Sequence, residues 1–359
     1  GGRRFQPQNI KRPEIKNVDL AIRLLLRGDW EEVELVYGDP LSVVGDCVRG
    51  MVRADDGRIL FASDFSNIEG RGLAWLAGEQ WKLDAFRDYD NGVGPDPYKL
   101  AYARAFLISI NQVDGPMRQI GKVMELALGY EGGVGAFQTM AGNYGIQVSS
   151  EYANELKHRW RNAHPRTKAL WRSLIDAAVK AIGSPGTRAE VNGKLAFLKR
   201  GSFLFMRLPS GRVITYPHPR LVEMVWVEDV ETGKRRTMTL VAAKREAGIE
   251  YDAEQAYMGA VYYGQNAKTR QWGDVSLYGG ILAENAVQAI SRDVFADAML
   301  RVESSGYPVV LHVHDEVMSE VPAAGASFDE FNALMSITPS WAQGFPIVAA
   351  GWSGERYRK

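Results

Sequence analysis

Pro308-Val309-Val310-Leu311-His312-Val313-His314-Asp315-Glu316-Val317-Met318-Ser319-Glu320-Val321-Pro322 is the stretch whose reading decides the fold. Apolar, β-favouring residues run up to Leu311, and a second strand-like run follows Glu316. The pattern predicts a hairpin with His314, Asp315 and Glu316 at its turn, where side chains can converge on a cleft. An ionised carboxylate beside an apolar strand is costly unless a hydrogen-bonded partner or a metal cation faces it. Two readings stand open at this point. One is a solvated acidic turn; the other is half of a metal site whose second half lies elsewhere in the chain.

A chain of 359 residues can bury a sizeable core, and its length predicts two subdomains. Apolar, aromatic and charged fractions are those of an ordinary soluble globular protein. Cys47 is the only cysteine, which excludes an internal disulfide and a thiolate zinc site and predicts a reducing, cytoplasmic compartment. No apolar run reaches transmembrane length, so no membrane partner is expected. The start, Gly1-Gly2-Arg3-Arg4, has no secretory pattern and no initiator methionine, as in a processed, tagged or truncated chain. Net charge is zero, yet fourteen Lys or Arg lie between Lys157 and Arg220 against only Asp176 and Glu190. A basic surface opposed to an acidic pocket suits a phosphate-backbone ligand and a metal site together; a solvated helix face is the alternative.

Residues 1–20 read as an extended arm. Residues 59–65 read as a buried strand, and Ser66-Asn67-Ile68-Glu69 as a capping box opening a helix to about Gly78. Further helices are predicted from Asp96-Pro97 to about Leu107 and from Gly115-Pro116 to about Tyr130, followed by a flexible Gly132–Gly135 loop. A long basic helical stretch, 149–182, breaks at His164-Pro165. Residues 183–275 read as β-rich and irregular. A helix over 277–304, the hairpin, a helix near 327–336 and a strand near 346–350 complete the pattern.

Asp64 is the natural partner of Asp315. Each ends a strand-like run, and two such strands side by side would bring their carboxylates to one pair of ions. Oxygen-only ligands select hard cations, so Mg²⁺ is expected, with Mn²⁺ able to substitute. Two such ions about 4 Å apart clamp the attacking and leaving oxygens of a phosphoryl displacement. On the predicted 116–130 helix, Arg118, Lys122, Leu126 and Tyr130 recur every four residues and share one stripe. Two cations near a helix N-terminus suit a polyphosphate, and the apolar and aromatic positions below them suit a stacked base. An amphipathic helix with snorkelling cations is the bland alternative.

Taken in order, these motifs resemble family A (DNA polymerase I-like) DNA polymerases of phage or prophage type. Asp64-Phe65-Ser66-Asn67-Ile68-Glu69-Gly70-Arg71 is similar to that family's motif A. Arg118-x-x-x-Lys122-x-x-x-Leu126-x-x-x-Tyr130 is similar to motif B, and Val313-His314-Asp315-Glu316 to motif C. Gly2-Arg3, Gln8-Asn9-Ile10, Trp160-Arg161-x-x-x-Pro165, Leu208-Pro209-Ser210-Gly211-Arg212 and Glu284-Asn285-x-x-Gln288 extend the likeness along the chain. The resemblance implies an α+β right-hand palm, an antiparallel sheet backed by helices, with an inserted helical fingers subdomain. It apportions 1–80 to palm entry, 81–182 to fingers, 183–275 to a palm return with a β-rich insertion, and 276–359 to the palm. Thumb and exonuclease domains are expected to be absent, supplied in cis by a longer protein or in trans.

The implied activity is template-directed DNA synthesis from dNTPs on primer–template DNA. Asp64 and Asp315 would hold two Mg²⁺ ions, with Glu316 as an auxiliary acid. Arg118 and Lys122 would bind the triphosphate, and Lys122 would protonate the departing pyrophosphate. Glu69 would exclude a ribose 2′-hydroxyl, Leu126 would pack on the incoming nucleotide and Tyr130 would guard the templating position. Arg3, Gln288 and His314 would touch DNA, and Arg71 would be a structural or DNA-contacting cation. Leu126 stands where the family usually has Phe or Tyr, which predicts discrimination against dideoxynucleotides. Glu131 stands where glycine is common, and 183–275 is longer than the family's minimal core. Without a thumb, grip on duplex should be weak, salt-dependent and non-processive. The rivals are a single-subunit RNA polymerase, argued against by Glu69, a transition-metal hydrolase built on His312-x-His314 with Asp64, and a nucleic-acid-binding subunit without activity.

Overall fold

The computed structural model describes residues 9–230, 235–266 and 269–357. Three helices, α1 (Val18–Arg27), α2 (Trp30–Tyr37) and α3 (Pro40–Cys47), precede strand β1 (Arg58–Phe65). Then follow α4 (Ile68–Ala77), α5 (Gln80–Asp90), α6 (Pro97–Phe106), α7 (Gly115–Leu128), α8 (Val134–Asn143), α9 (Ser150–Ala163) and α10 (Pro165–Gly183). Strands β2 (Ala189–Val191), β3 (Leu195–Arg200), β4 (Phe203–Arg207), β5 (Val213–Pro217), β6 (Arg220–Asp229) and β7 (Arg235–Thr239) lead to the short α11 (Leu240–Ala243). Next come β8 (Ile249–Tyr251), β9 (Tyr257–Gln265), β10 (Trp272–Leu277) and the long α12 (Gly279–Ser304). The hairpin β11 (Val309–Val313) and β12 (Glu316–Pro322), α13 (Phe328–Met335) and β13 (Ala349–Gly354) complete the order. The expected α+β class with antiparallel sheets is borne out, since all the described strand pairings are antiparallel. No helix among the described residues is long and apolar enough to cross a membrane.

The chain divides into two compact units. The first comprises the described parts of Gly1–Ser66, Arg292–Pro339 and Ile347–Lys359. Its sheet has the order β11-β12-β1-β13. One face is aromatic, with Phe61 meeting Tyr307, Phe328 and Phe331 at centroid distances of 6.2, 5.4 and 5.8 Å. Strand alternation sends Leu60, Ala62 and Met318 to the opposite face, where they bury with Ala54 and Tyr357. The second unit is Asn67–Ser291 with Ser340–Pro346. It holds helices α4 to α10, a four-stranded sheet β2-β3-β4-β5, and a sheet β10-β9-β6-β7 to which β8 adds beside β6.

Several sequence expectations need correction. Residues 18–20 belong to α1, capped by Asn17, rather than to an extended arm. The Gly132–Gly135 loop is shorter than expected, because α8 begins at Val134. Strand β13 falls at Ala349–Gly354, later than 346–350. The helix after β1 is capped one residue later than the expected Ser66. The N-cap of α4 is Asn67, at φ 50°, with no side-chain cap bond, while the Ser66 N–H donates to the Val348 carbonyl. Gly70 leaves room for the Asn67 side chain, since a Cβ there would lie 2.5 Å from Asn67 Oδ1 and the amide would have to turn away.

Candidate active site

In the first unit, β11 and β12 are joined by a two-residue turn, His314-Asp315, between paired Val313 and Glu316. His314 takes a φ of 54°, the left-handed region that lets two residues reverse a tightly twisted ribbon. The expectation that the strands of Asp64 and Asp315 lie side by side needs amending. Strand β12 intervenes between β11 and β1, and the register places Asp64 directly across from Glu316. Opposed residues of an antiparallel pair project to one face with Cβ atoms roughly 4.5–5.5 Å apart. Asp64, Glu316 and the adjacent Asp315 therefore gather at one end of one sheet.

Their surroundings differ. Glu316 is buried at 5% exposure, and its Oε1 accepts a 2.7 Å hydrogen bond from the Tyr357 hydroxyl. Burial and the neighbouring Glu316 carboxylate push the Tyr357 phenol well above its ordinary range. Asp64 and Asp315 are half-buried, and His314 is exposed. His312 points to the other face, where its ring meets Phe295 at 5.8 Å; burial and the Arg292 charge lower its pKa. That orientation sets His312 on the face away from Asp64 and Glu316, which counts against the rival His312-x-His314 metal site.

Among the described residues, no group of three or more His, Cys, Asp or Glu side chains is arranged to hold a metal. Mg²⁺ characteristically takes one or two carboxylates and completes its octahedron with water and substrate phosphate. Asp64 at the end of β1 and Asp315 in the β11–β12 turn, both half-buried carboxylates, fit that donor chemistry, whereas a four-ligand zinc site does not.

In the second unit, α7 presents the cation stripe. Asp114 caps the helix by accepting from the Met117 N–H, and Pro116 sits in its first turn. Arg118 donates through Nε and Nη2 to Asp96 Oδ2 at 3.1 and 2.8 Å, and its guanidinium lies 5.4 Å from the Tyr98 ring centre. Burial pushes the Asp96 carboxyl up, but hydrogen bonds from Arg118 and from the Lys99 and Tyr98 backbone hold it below its usual value. Lys122 Nζ sits 4.8 Å from the centre of the Tyr144 ring. Leu126 is partly exposed on the same stripe. Beside that stripe, α7 is locked by Glu125, which is ion-paired with buried Lys82 and accepts from Trp160 Nε1 at 2.8 Å. His164 Nε2 lies 3.2 Å from the same carboxylate. Burial would raise the Glu125 pKa, but Lys82 and His164 hold it far below the ordinary carboxylate range.

The Tyr130 hydroxyl donates to Glu69 Oε2 at 3.3 Å, so two residues expected at a nucleotide are already coupled. Burial, and then the Glu69 charge, raise the Tyr130 pKa strongly. Glu131 adopts φ 64°, a left-handed conformation that favours glycine, and its Oε2 accepts from the Gly280 N–H at 2.8 Å at the start of α12. Gln288 is exposed and donates to Glu284 at 3.3 Å. Of the two roles expected for Arg71, structural or DNA-contacting, its surroundings match the structural one. It is 2% exposed, chelates Asp90 with bonds of 2.6 and 2.7 Å, and packs over Phe86. Arg3 lies outside the described residues.

Sequence reasoning missed Tyr357, Asp96, Lys82 and the capping role of Glu131. Only Asp96 carried a signal, as the N-cap before Pro97; its second bond to Arg118 carried none.

Comparison with known proteins follows the same lines. The chain is 34% identical over 360 residues to a DNA polymerase of Bacillus phage SP02, covering 100% of itself and 50% of that protein. It is 32% identical over 121 residues to DNA polymerase I of Mycobacterium tuberculosis, a match to 34% of the chain and 12% of the relative. The chain thus spans about half the length of the phage relative and a smaller share of the mycobacterial one. Among solved structures, the POL domain of Pol1 from M. smegmatis, in complex with DNA primer-template and dNTP, aligns with a TM-score of 0.50 and 17% identity. That alignment covers 88% of this chain and 42% of the other, and bears on the fold alone. No family model matches the chain.

Proposed function

We propose that the chain is the palm-and-fingers portion of a family A, DNA polymerase I-like, template-directed DNA polymerase, a reading supported by its similarity to a phage DNA polymerase along its whole length. The primer 3′-hydroxyl attacks the α-phosphorus of a dNTP, a new P–O bond forms, the bond to the β-phosphate breaks, and pyrophosphate leaves. The single observation that carries this reading is the register of β1 against β12, which gathers Asp64, Glu316 and Asp315 at one sheet end.

Asp64 and Asp315 hold the metal pair in this account, and Glu316, fixed by Tyr357, supports them from within the sheet. When bound, two Mg²⁺ ions supply electrostatic stabilisation of the attacking and leaving oxygens. Arg118 exchanges Asp96 for the triphosphate. Lys122 has the Tyr144 ring to leave, and its ammonium donates a proton to the departing pyrophosphate. Glu69, steadied by Tyr130, stands against a ribose 2′-hydroxyl. Gln288 and His314 contact the primer–template.

Primer extension with Mg²⁺ and dNTPs tests the proposal. The intact chain is expected to extend a primer with dNTPs and to reject rNTPs. Equal use of rNTPs would favour a single-subunit RNA polymerase, and absence of any product would overturn the assignment.

A further inference from the structure

A groove of about 720 Å³ lies within the second unit, walled by α10 on one side and by the β6–β9–β10 sheet on the other. None of its lining has a part in the nucleotidyl transfer proposed above. The sheet belongs to the 183–275 region, which is longer than catalysis by the three motifs requires.

The two walls differ in chemistry. On the helical wall, Lys168, Arg172, Ile175 and Val179 follow one another at three- or four-residue steps, so they line one side of α10. Arg161, at the end of α9, adds a third cation; its guanidinium lies 5.6 Å from the Trp171 ring centre. On the sheet wall, Trp226, Tyr257 and Tyr278 line the groove and stay 60%, 42% and 47% exposed. Three large aromatic side chains left in water at one concavity call for an occupant. The acids of the lining are engaged: Asp176 accepts from Arg172 Nε at 2.9 Å, and Glu131 accepts from the Gly280 N–H. Arg172 and Asp176 offset one another, so Arg161 and exposed Lys168 carry the positive charge of the helical wall against the one remaining carboxylate of the lining, Glu131.

We infer that this groove binds single-stranded DNA, with phosphates along the α10 cations and bases stacked on Trp226, Tyr257 and Tyr278. A wall of cations facing a wall of aromatics matches a polymer that alternates anionic phosphates with π-faces. Duplex DNA fits less well, because its base faces are already stacked on one another. The position agrees with an unpaired strand. Glu131 lines the groove and directly follows Tyr130, the residue assigned to the templating position, so this use of the groove rests on the polymerase reading.

The test is fluorescence anisotropy of a short labelled oligo-thymidylate with the full chain, without Mg²⁺ or dNTP. Trp226→Ala removes a stacking surface and Lys168→Ala a phosphate contact, from two different elements and at exposed positions. Each is expected to weaken the oligonucleotide about fivefold or more. Lys168→Ala should also flatten the dependence of log affinity on log salt by ~0.7. Blunt duplex should bind both variants as it binds the parent. Unchanged affinity for the single strand in both variants would overturn the inference. So would concentration-dependent self-association of the parent that Trp226→Ala abolishes, which would assign the groove to a second copy of the chain. Binding is scored apart from catalysis, so a parent that binds through the groove but extends no primer would refute the polymerase reading alone.

Discussion

The acid cluster of the first unit and the cation stripe of the second are positioned by different means. Asp64, Glu316 and Asp315 are placed by backbone register: pairing of β1 with β12 fixes two of them and the hairpin turn the third. Arg118 and Lys122 share a helix face, but their charged ends are placed by side-chain partners, Asp96 and the Tyr144 ring. A one-residue slip of β1 would send Asp64 to the opposite face, a change the aromatic packing around Phe61 forbids. Arg118, in contrast, needs only to trade one anionic partner for another. The acids are preset, and the cations are poised to exchange.

Four perturbations would break or sharpen this contrast. The largest effect is expected at Glu125 on α7. Glu125→Ala leaves Lys82 buried without its counter-charge and should cost about 3–5 kcal/mol in urea unfolding. The pH dependence has a definite sign. The folded-state pKa of Glu125 is depressed below the ordinary 4.5, so its stabilisation is full above that value and is lost as pH falls through the depressed one. The parent should therefore lose stability in acid more steeply than Glu125→Gln; parallel acid titrations would contradict this.

Next in size, Lys122→Ala should lower kcat for single-nucleotide incorporation by on the order of 10²-fold, with little change in melting temperature. Tyr357→Phe removes the hydroxyl that Glu316 accepts from and should cost about 1–3 kcal/mol of stability, with a smaller loss of activity. The smallest effect belongs to Asp96→Asn. Asparagine preserves the cap of α6 but releases Arg118 from a full negative charge. The KM for dNTP should fall about threefold at low salt and converge on the parent's at high salt. An unchanged KM would show that Asp96 does not compete for Arg118.

Much of this arrangement was legible in the sequence because it is local. The hairpin follows from apolar alternation around a two-residue turn, and the α7 stripe from four-residue spacing. The helices α2 and α3 went unread, although their caps, Asp29 and Asp39 before Pro40, are local too. What could not be read joins distant residues. Arg118 meets Asp96 across 22 positions, Tyr357 meets Glu316 across 41, and Gly280 meets Glu131 across 149. No periodicity encodes such pairs. The register itself was partly hidden, since alternation predicts two strands but not which one lies next to β1. The misread cap at Ser66 has a local cause: its N–H is taken by Val348, and the left-handed Asn67 starts the helix one residue later.

The central claim is that register-placed acids make the chain a DNA polymerase. Its most direct test is single-nucleotide incorporation with Mg²⁺ and dNTP, comparing the intact chain with Asp64→Ala at matched melting temperature. The account predicts that the parent extends the primer and that the variant is slower by on the order of 10³-fold or more. Extension by Asp64→Ala at the parental rate would contradict it.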